Sequence, residues 1–313
     1  MQDNLGSPNL RFFRSRAFLY LMLVLTTAAW GGVYIILRHV NAVREQFAIS
    51  VWEIVFLRFV PASLLFAPFV VLHWRESMNI LREAWWPVFW MGMLTTSVYN
   101  LLLITGEERV PASVASMIMA VGPSATFVLS LLARHEHASA GKLIGLIVST
   151  LGLVYISILG KSNGTEQLSI PHLMLIVGAP VSWSIATVVG KRVLRTHDPL
   201  LVTALSVIVG SLPLLIIPLF NRASLTNAAQ LPSTFWASMA YLAVLATVFG
   251  FVIWYKALDL LHATQVSVFV FLVPLFGVLF AGFFEKVSAA VYIGGALIFA
   301  GVLITNRCAV KEK

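Results

Sequence analysis

Arg58 stands inside the apolar stretch FLRFVPASLL. A guanidinium in such surroundings is expensive and faces protein or a wet cavity. Two roles suit it: holding a carboxylate, or binding backbone carbonyls and bracing neighbouring helices. Glu53 lies roughly 140° around a helix from it and is a poor local partner. Four hydroxyls form two pairs at a spacing of three, Ser113 with Ser116 and Thr264 with Ser267. That spacing puts each pair on one helix face. Such a face can place polar groups in the wall of an apolar cavity, or it can hydrogen-bond helix to helix. Trp30, Tyr34, Tyr99, Asn100, Trp183, Ser184, Phe251, Tyr255 and Gln265 are candidates to complete that wall and contact a ligand.

Other chemistry finds little support. His135, Glu136 and His137 in RHEH are three polar side chains in a short loop with no fourth ligand. A structural metal site takes four, so a solvated loop is expected there and no metal. No H-E-x-x-H, G-x-S-x-G or P-loop occurs. Neither an enzyme nor a bound cofactor is therefore expected. Cys308 is the only cysteine, which excludes an intramolecular disulfide.

The elements that carry these residues follow from composition. The chain is 59% hydrophobic and 11% charged, with a mean hydropathy of +0.90. Soluble domains carry about 25% charged residues, and a globule of this composition could not cover itself with polar groups. The solvent is lipid. A bilayer core of about 30 Å takes about 20 apolar residues in a helix. Runs of that kind lie near 17–37, 49–72, 85–105, 110–133, 140–160, 171–190, 199–220, 234–255, 262–284 and 288–306. The expectation is an all-α membrane protein of ten transmembrane helices. The first run follows Arg11, Arg14 and Arg16 and is too long for the apolar core of a signal peptide, so it is expected to be retained. GEERV separates the third run from the fourth, because two Glu and an Arg are too costly for hydrocarbon. Trp85 and Trp86 fit an interfacial aromatic belt. With the N-terminus cytoplasmic, fourteen Lys and Arg fall on the cytoplasmic side and six outside. That imbalance puts both termini in the cytoplasm and accounts for the net charge of +8 without a nucleic-acid partner.

The chain also repeats itself. Trp30 matches Trp183 and Arg38 matches Lys191 at an offset of 153, and Pro61 matches Pro213 at 152. Trp85, Ala112, Ser113, Ser116 and Pro123 match Trp236, Ala263, Thr264, Ser267 and Pro274 at 151. Glu136, Ser139, Gly145 and Gly152 match Glu285, Ser288, Gly294 and Gly301 at 149. Each half then holds five helices, an odd number, so the second half enters the membrane from the opposite side. Inverted repeats are a common build of secondary transporters, since one pattern in two orientations gives two states of similar energy. Gly145 and Gly152, like Gly294 and Gly301, share a helix face and are expected to permit close helix packing. Pro123 and Pro274 are expected to bend their helices, with hinge motion as the other reading. Glu136 and Glu285 read as solvated caps at helix junctions.

Trp30, the FLRFVPASLL segment and the paired Pro123…Glu136 and Pro274…Glu285 blocks with their glycines resemble the drug/metabolite transporter superfamily. The resemblance is to a protein with two EamA-type domains, here 17–160 and 171–306. It implies ten helices, a central cavity between the halves, and small organic metabolites as cargo. Glu107 departs from the symmetry, standing where the second half has Leu258. The expected function is a multi-pass inner-membrane carrier or exporter, with amino acids or related compounds as the leading class. A passive channel and a membrane-embedded enzyme are the alternatives. The expected partners are a small-molecule substrate and the lipid bilayer. Of the acidic residues none falls at a predicted midplane, and Glu53 is the deepest. Proton-driven carriers use intramembrane carboxylates or His, so facilitated transport or exchange is expected.

Overall fold

The computed structural model describes residues 16–132, 140–159, 169–190, 193–216, 230–260, 269–284 and 286–310. The regular structure among them is all helical, with no strand. The long helices are α1 (Arg16–Gln46), α2 (Val51–Leu72), α3 (Trp74–Gly106), α4 (112–132), α5 (Ala140–Leu159), α6 (Ile170–Gly190), α7 (Pro199–Ile216), α8 (233–260), α9 (269–281) and α10 (Ala289–Val310). By length and composition, six of the described helices can cross a membrane: α1, α2, α3, α6, α7 and the Ser233–Trp254 part of α8. Shorter apolar helices occupy Leu143–Ile156, Leu272–Ala281 and Ala289–Gly301.

Local chemistry sets the helix ends. Ser50 and Glu53 form a capping box at the start of α2: the Ser50 N–H donates to Glu53 Oε2 at 2.6 Å and the Glu53 N–H donates to Ser50 Oγ at 3.3 Å. This satisfies two orphan donors of the first turn. Glu53 is buried, and its carboxylate is engaged in this cap. Asp198 caps α7 by accepting the Leu201 N–H at 2.8 Å, with Pro199 at the first helical position. The GEERV segment is a turn as expected, with Glu107 ending α3 and Pro111 preceding α4.

One boundary differs. α3 begins at Trp74, well before the expected start near 85, and bends at Ala84 (φ −142°, ψ 30°). Its first turns are amphipathic. Ser77, Ile80, Ala84 and Val88 are buried, and the apolar ones pack with Val193, Leu201 and Leu205, while Arg75, Glu76, Arg82 and Glu83 face outward. A helix with one wet face does not read as an apolar run. The two prolines also have a specific setting. A 3₁₀ turn at Met119–Val121 precedes the Gly122–Leu132 segment that contains Pro123. Another at Phe269–Phe271 precedes the Leu272–Ala281 segment that contains Pro274. Each proline lies in the first turn of a restarted helix, where a missing N–H costs least.

The glycine expectation for α5 and α10 is met by contact. A Cβ on Gly152 would run into the Gly294 carbonyl at 2.6 Å, and one on Gly294 into the Gly152 carbonyl at 2.8 Å. A Cβ on Gly301 would strike the Gly145 carbonyl and Ser149. Ser149 Oγ donates to the Ile298 carbonyl at 3.2 Å across the same seam. Glu136 and Glu285 lie outside the described residues.

Candidate functional site

Two helices widen at corresponding places. α3 contains a π-helical segment at Met93–Val98 and α8 one at Tyr241–Phe249, 151 residues later for most of its length. Such widened turns free backbone carbonyls and recur at functional sites. In each, a side chain answers a carbonyl five residues back. Asn100 Nδ2 donates to the carbonyls of Thr95 at 3.0 Å and Thr96 at 2.9 Å. Thr247 Oγ1 donates to the Leu242 carbonyl at 2.9 Å. Trp30 reaches the second segment too, its indole N–H donating to the Ala246 carbonyl at 2.8 Å. Its ring occupies the space that a side chain on Gly250 would need.

Arg58 joins the two widened segments. Its Nε donates to Thr247 Oγ1 at 3.3 Å and its NH1 to Asn100 Oδ1 at 2.9 Å, and the guanidinium carbon sits 4.9 Å from the Phe59 ring centroid. Arg58, Asn100 and Thr247 are all buried. Among the described residues the Arg58 guanidinium thus bonds to side chains rather than to backbone carbonyls. Thr96 stands 151 residues before Thr247 and is as deeply buried, yet its Oγ1 has no hydrogen-bond partner among the described residues.

Beside this bridge runs a series of rings. Tyr99 and Trp183 meet edge-on at 5.6 Å between centroids, Trp183 and Phe251 at 6.1 Å, Phe251 and Trp30 at 6.4 Å, and Trp30 and Trp254 at 5.2 Å. All five rings are half-buried. They come from α3, α6, α8 and α1, so the series draws on both halves of the chain. Tyr34 is buried and hydrogen-bonded to Tyr99, whose hydroxyl also lies 3.6 Å from the Met119 sulfur. Trp30, Tyr34, Arg58, Tyr99, Asn100, Trp183 and Phe251 thus lie together in the structure.

The serines are placed differently. Ser116 is fully buried, donates to the Ser113 carbonyl at 2.9 Å, and fills the space above Gly277 of α9, with the Tyr34 ring alongside. Ser184 lies 2.7 Å from the Pro180 carbonyl and 3.0 Å from that of Gly122, and accepts from Thr126 Oγ1 at 2.9 Å. These contacts tie helix to helix. Ser113 is buried in the same turn of α4. Thr264, Gln265 and Ser267, and the side chain of Tyr255, lie outside the described residues. Sequence reasoning did not single out Thr247. Its match to Thr96 at the repeat offset was the available signal.

The EamA-like transporter family matches the chain twice, over residues 17–158 and 170–307. An uncharacterized transporter of Archaeoglobus fulgidus is 28% identical over 290 residues, covering 92% of this chain and 98% of that protein. A probable terminal-alkyne amino-acid exporter of Streptantibioticus cattleyicolor is 29% identical over 220 residues, covering 69% and 71% respectively. A solved crystal structure at 17% identity superposes with a TM-score of 0.60 and covers 96% of this chain and all of the other, a likeness of fold. Both halves that contribute to the ring series fall within the matched stretches, and the chain belongs to the EamA-like transporter family.

Proposed function

We propose that this transporter carries small organic metabolites, amino acids or related compounds foremost, through a site between two inverted five-helix repeats at 17–160 and 171–306. The observation that carries the reading is the half-buried series Tyr99–Trp183–Phe251–Trp30, assembled from both halves beside the Arg58 guanidinium. An apolar wall with a few placed polar groups is what a small-molecule site requires. Two of the five guanidinium donors are engaged by side chains. The remainder suit a carboxylate, and the rings suit the apolar part of the same cargo. The relative that is a probable amino-acid exporter supports this class.

The reciprocal contacts of α5 and α10 support inversion. Gly145 and Gly294 correspond in the repeat, as do Gly152 and Gly301. Each glycine meets the counterpart of the other, Gly152 with Gly294 and Gly145 with Gly301. A two-fold relation produces that pattern. In this reading α4, α5, α9 and α10 complete ten spans. Fourteen basic residues on one side against six on the other support both termini on the cytoplasmic side, and the inner membrane is the proposed location.

A thermal-shift screen of the purified protein against a metabolite library tests the cargo class, because a ligand that binds the folded state raises its melting point. Hits should carry a carboxylate next to an apolar group, and Trp183→Ala should weaken them. Counterflow in proteoliposomes then separates a carrier, which saturates and exchanges, from a channel. Undiminished binding and transport in Trp183→Ala would remove the ring series from the site. A reporter fused after Lys313 that works only outside the cytoplasm would reject the orientation if it proved active.

A further inference from the structure

We propose that Glu108 and His172 form a proton-dependent latch, which closes the end of the molecule where α3 finishes and stays closed when that side is acidic. The proposal rests on the carrier reading above, because a latch matters to a site that is reached from two sides.

α1, α3 and α6 carry Trp30, Tyr99 and Trp183 of the ring series, and the same three helices lead to Arg44, Glu108 and His172. Helical rise puts the second set roughly 14 to 21 Å beyond the first. Leu37, Val40, Leu103, Ile104, Leu173 and Ile176 occupy that interval and are at most 1% exposed. A dry layer therefore separates the half-buried rings from the polar cluster, and the cluster caps it.

Arg44 and Glu108 belong to the first half. Arg44 pairs with Glu108 Oε1, and its other donors reach Asn41 Oδ1 and the Ile49 carbonyl, both at 3.3 Å. The carboxylate is thus held in place. Its second oxygen, Oε2, lies 4.0 Å from His172 Nε2 of the second half. Ser169 Oγ lies 2.7 Å from His172 Nδ1 and orients the ring. Gly106 permits the approach, since a Cβ there would meet Ile176 at 2.6 Å and the His172 carbonyl at 3.0 Å.

Both ring nitrogens of a protonated imidazole are donors, so an imidazolium serves Ser169 and Glu108 at once. The His172 and Glu108 side chains are 26% and 22% exposed, which lets protons reach them from solvent. The positive charge gains from Glu108 while the two are together, so acidification favours the closed end. The surrounding charges do not cross the same gap. Glu107 is buried in the preceding turn, whereas Arg109, with Arg38, His39 and Glu45 of α1, is exposed. α4 from 112 to 132 and the rest of α6 hold no titratable residue.

The opposite end repeats the chemistry in water. His197 Nε2 meets Glu83 Oε2 at 3.3 Å, and Thr196 Oγ1 lies 2.9 Å from His197 Nδ1. This pair ties α3 to the connection between α6 and α7. The Glu83 side chain is 62% exposed, and so wet an ion pair holds little. Unequal burial makes the finish of α3 the end held shut.

Thiol labelling of the full-length protein in nanodiscs tests the latch. Leu103→Cys in a Cys308→Ser background puts one cysteine in the dry layer, and a charged methanethiosulfonate reports its exposure. The ratio of variant to parent rate at one pH cancels the titration of the thiol itself. At about pH 5.5, inside the imidazole range, adding His172→Gln should speed labelling about fivefold, the factor of a good ion pair. At about pH 8 the ratio should fall to near one. His172→Lys, charged at both pH values, should protect at both, and Glu108→Gln should remove that protection. A ratio near one at the lower pH, the same ratio at both, or no labelling in any variant overturns the proposal. The readout needs no cargo, so absent counterflow would reject the carrier reading without altering the labelling result.

Discussion

The repeat places two helix crossings in corresponding positions, α2 against α8 and α3 against α7, and closes them by opposite means. Arg58 of α2 corresponds to Gly210 of α7 at an offset of 152, and Gly92 of α3 to Ala243 of α8 at 151. At α3 and α7 the two glycines bring backbone onto backbone, so that a Cβ on Gly210 would strike the Gly92 carbonyl. Ser97 Oγ donates to the Gly210 carbonyl at 3.1 Å. At α2 and α8 a cation fills the same place and holds Thr247 by a hydrogen bond. The difference is one of exchangeability. A glycine contact is dispersion between fixed surfaces, which nothing replaces when it parts. A guanidinium bond can be taken over by another acceptor, including a ligand. The same division recurs where Gly31 of α1 meets the backbone of α9 but its counterpart Ser184 of α6 bonds to α4. At these matched positions the chemistry of the two halves differs.

The sharpest way to break this comparison is Gly210→Leu. It should abolish folding, seen as loss of the monodisperse peak in fluorescence-detected chromatography, and Gly210→Ala should cost about 1–3 kcal/mol through overpacking. Survival of Gly210→Leu with an unchanged melt would mean that this crossing is not fixed. Arg58→Met comes next. It strands Asn100 Oδ1, at about 1–3 kcal/mol for an unsatisfied buried group, and removes a donor from Thr247 Oγ1, which keeps its bond to the Leu242 carbonyl. Its melting loss should overlap with that of Thr247→Val in the double variant, and strict additivity would deny the bond between them. Thr247→Val and Thr96→Val sharpen the comparison further. The first loses a partner and should cost about 1 kcal/mol, whereas the second removes an unpartnered hydroxyl and should be neutral or raise the melting temperature. Equal effects of the two would erase the asymmetry between α3 and α8. The smallest effect is expected at α5 and α10, where Ser149→Ala should cost about 0.6 kcal/mol by thermal melts.

The glycine contacts were legible in the sequence because a seven-residue spacing states a helix face without further information. So were the rings, since Trp30 and Trp183 mark the repeat and half-apolar side chains gather at a wall. Arg58 was legible as a residue that needs partners, but its partners were not. Thr247 is chosen by a π-helical turn, and the extra residue in that turn swings later side chains by about 100° relative to an unbroken helix. Hydropathy cannot register such a rotation. Glu107 was read as part of a polar break, since two carboxylates in a row look alike on paper; the turn sends Glu108 to Arg44 and Glu107 inward. The amphipathic start of α3 was missed because its buried stripe alternates with charge.

The seam between α5 and α10 also bears on how the protein is made. α10 begins 149 residues after α5 in the chain. At roughly 5–20 residues per second of synthesis, α5 waits for roughly 7 to 30 seconds before its partner exists. During that interval the glycine groove at Gly145 and Gly152 lacks the helix that later fills it. A helix made 149 residues later is thus the one that closes a surface laid down in the first half. A chain cut short before Ala289 should leave an open groove for the quality-control proteases of the membrane to find.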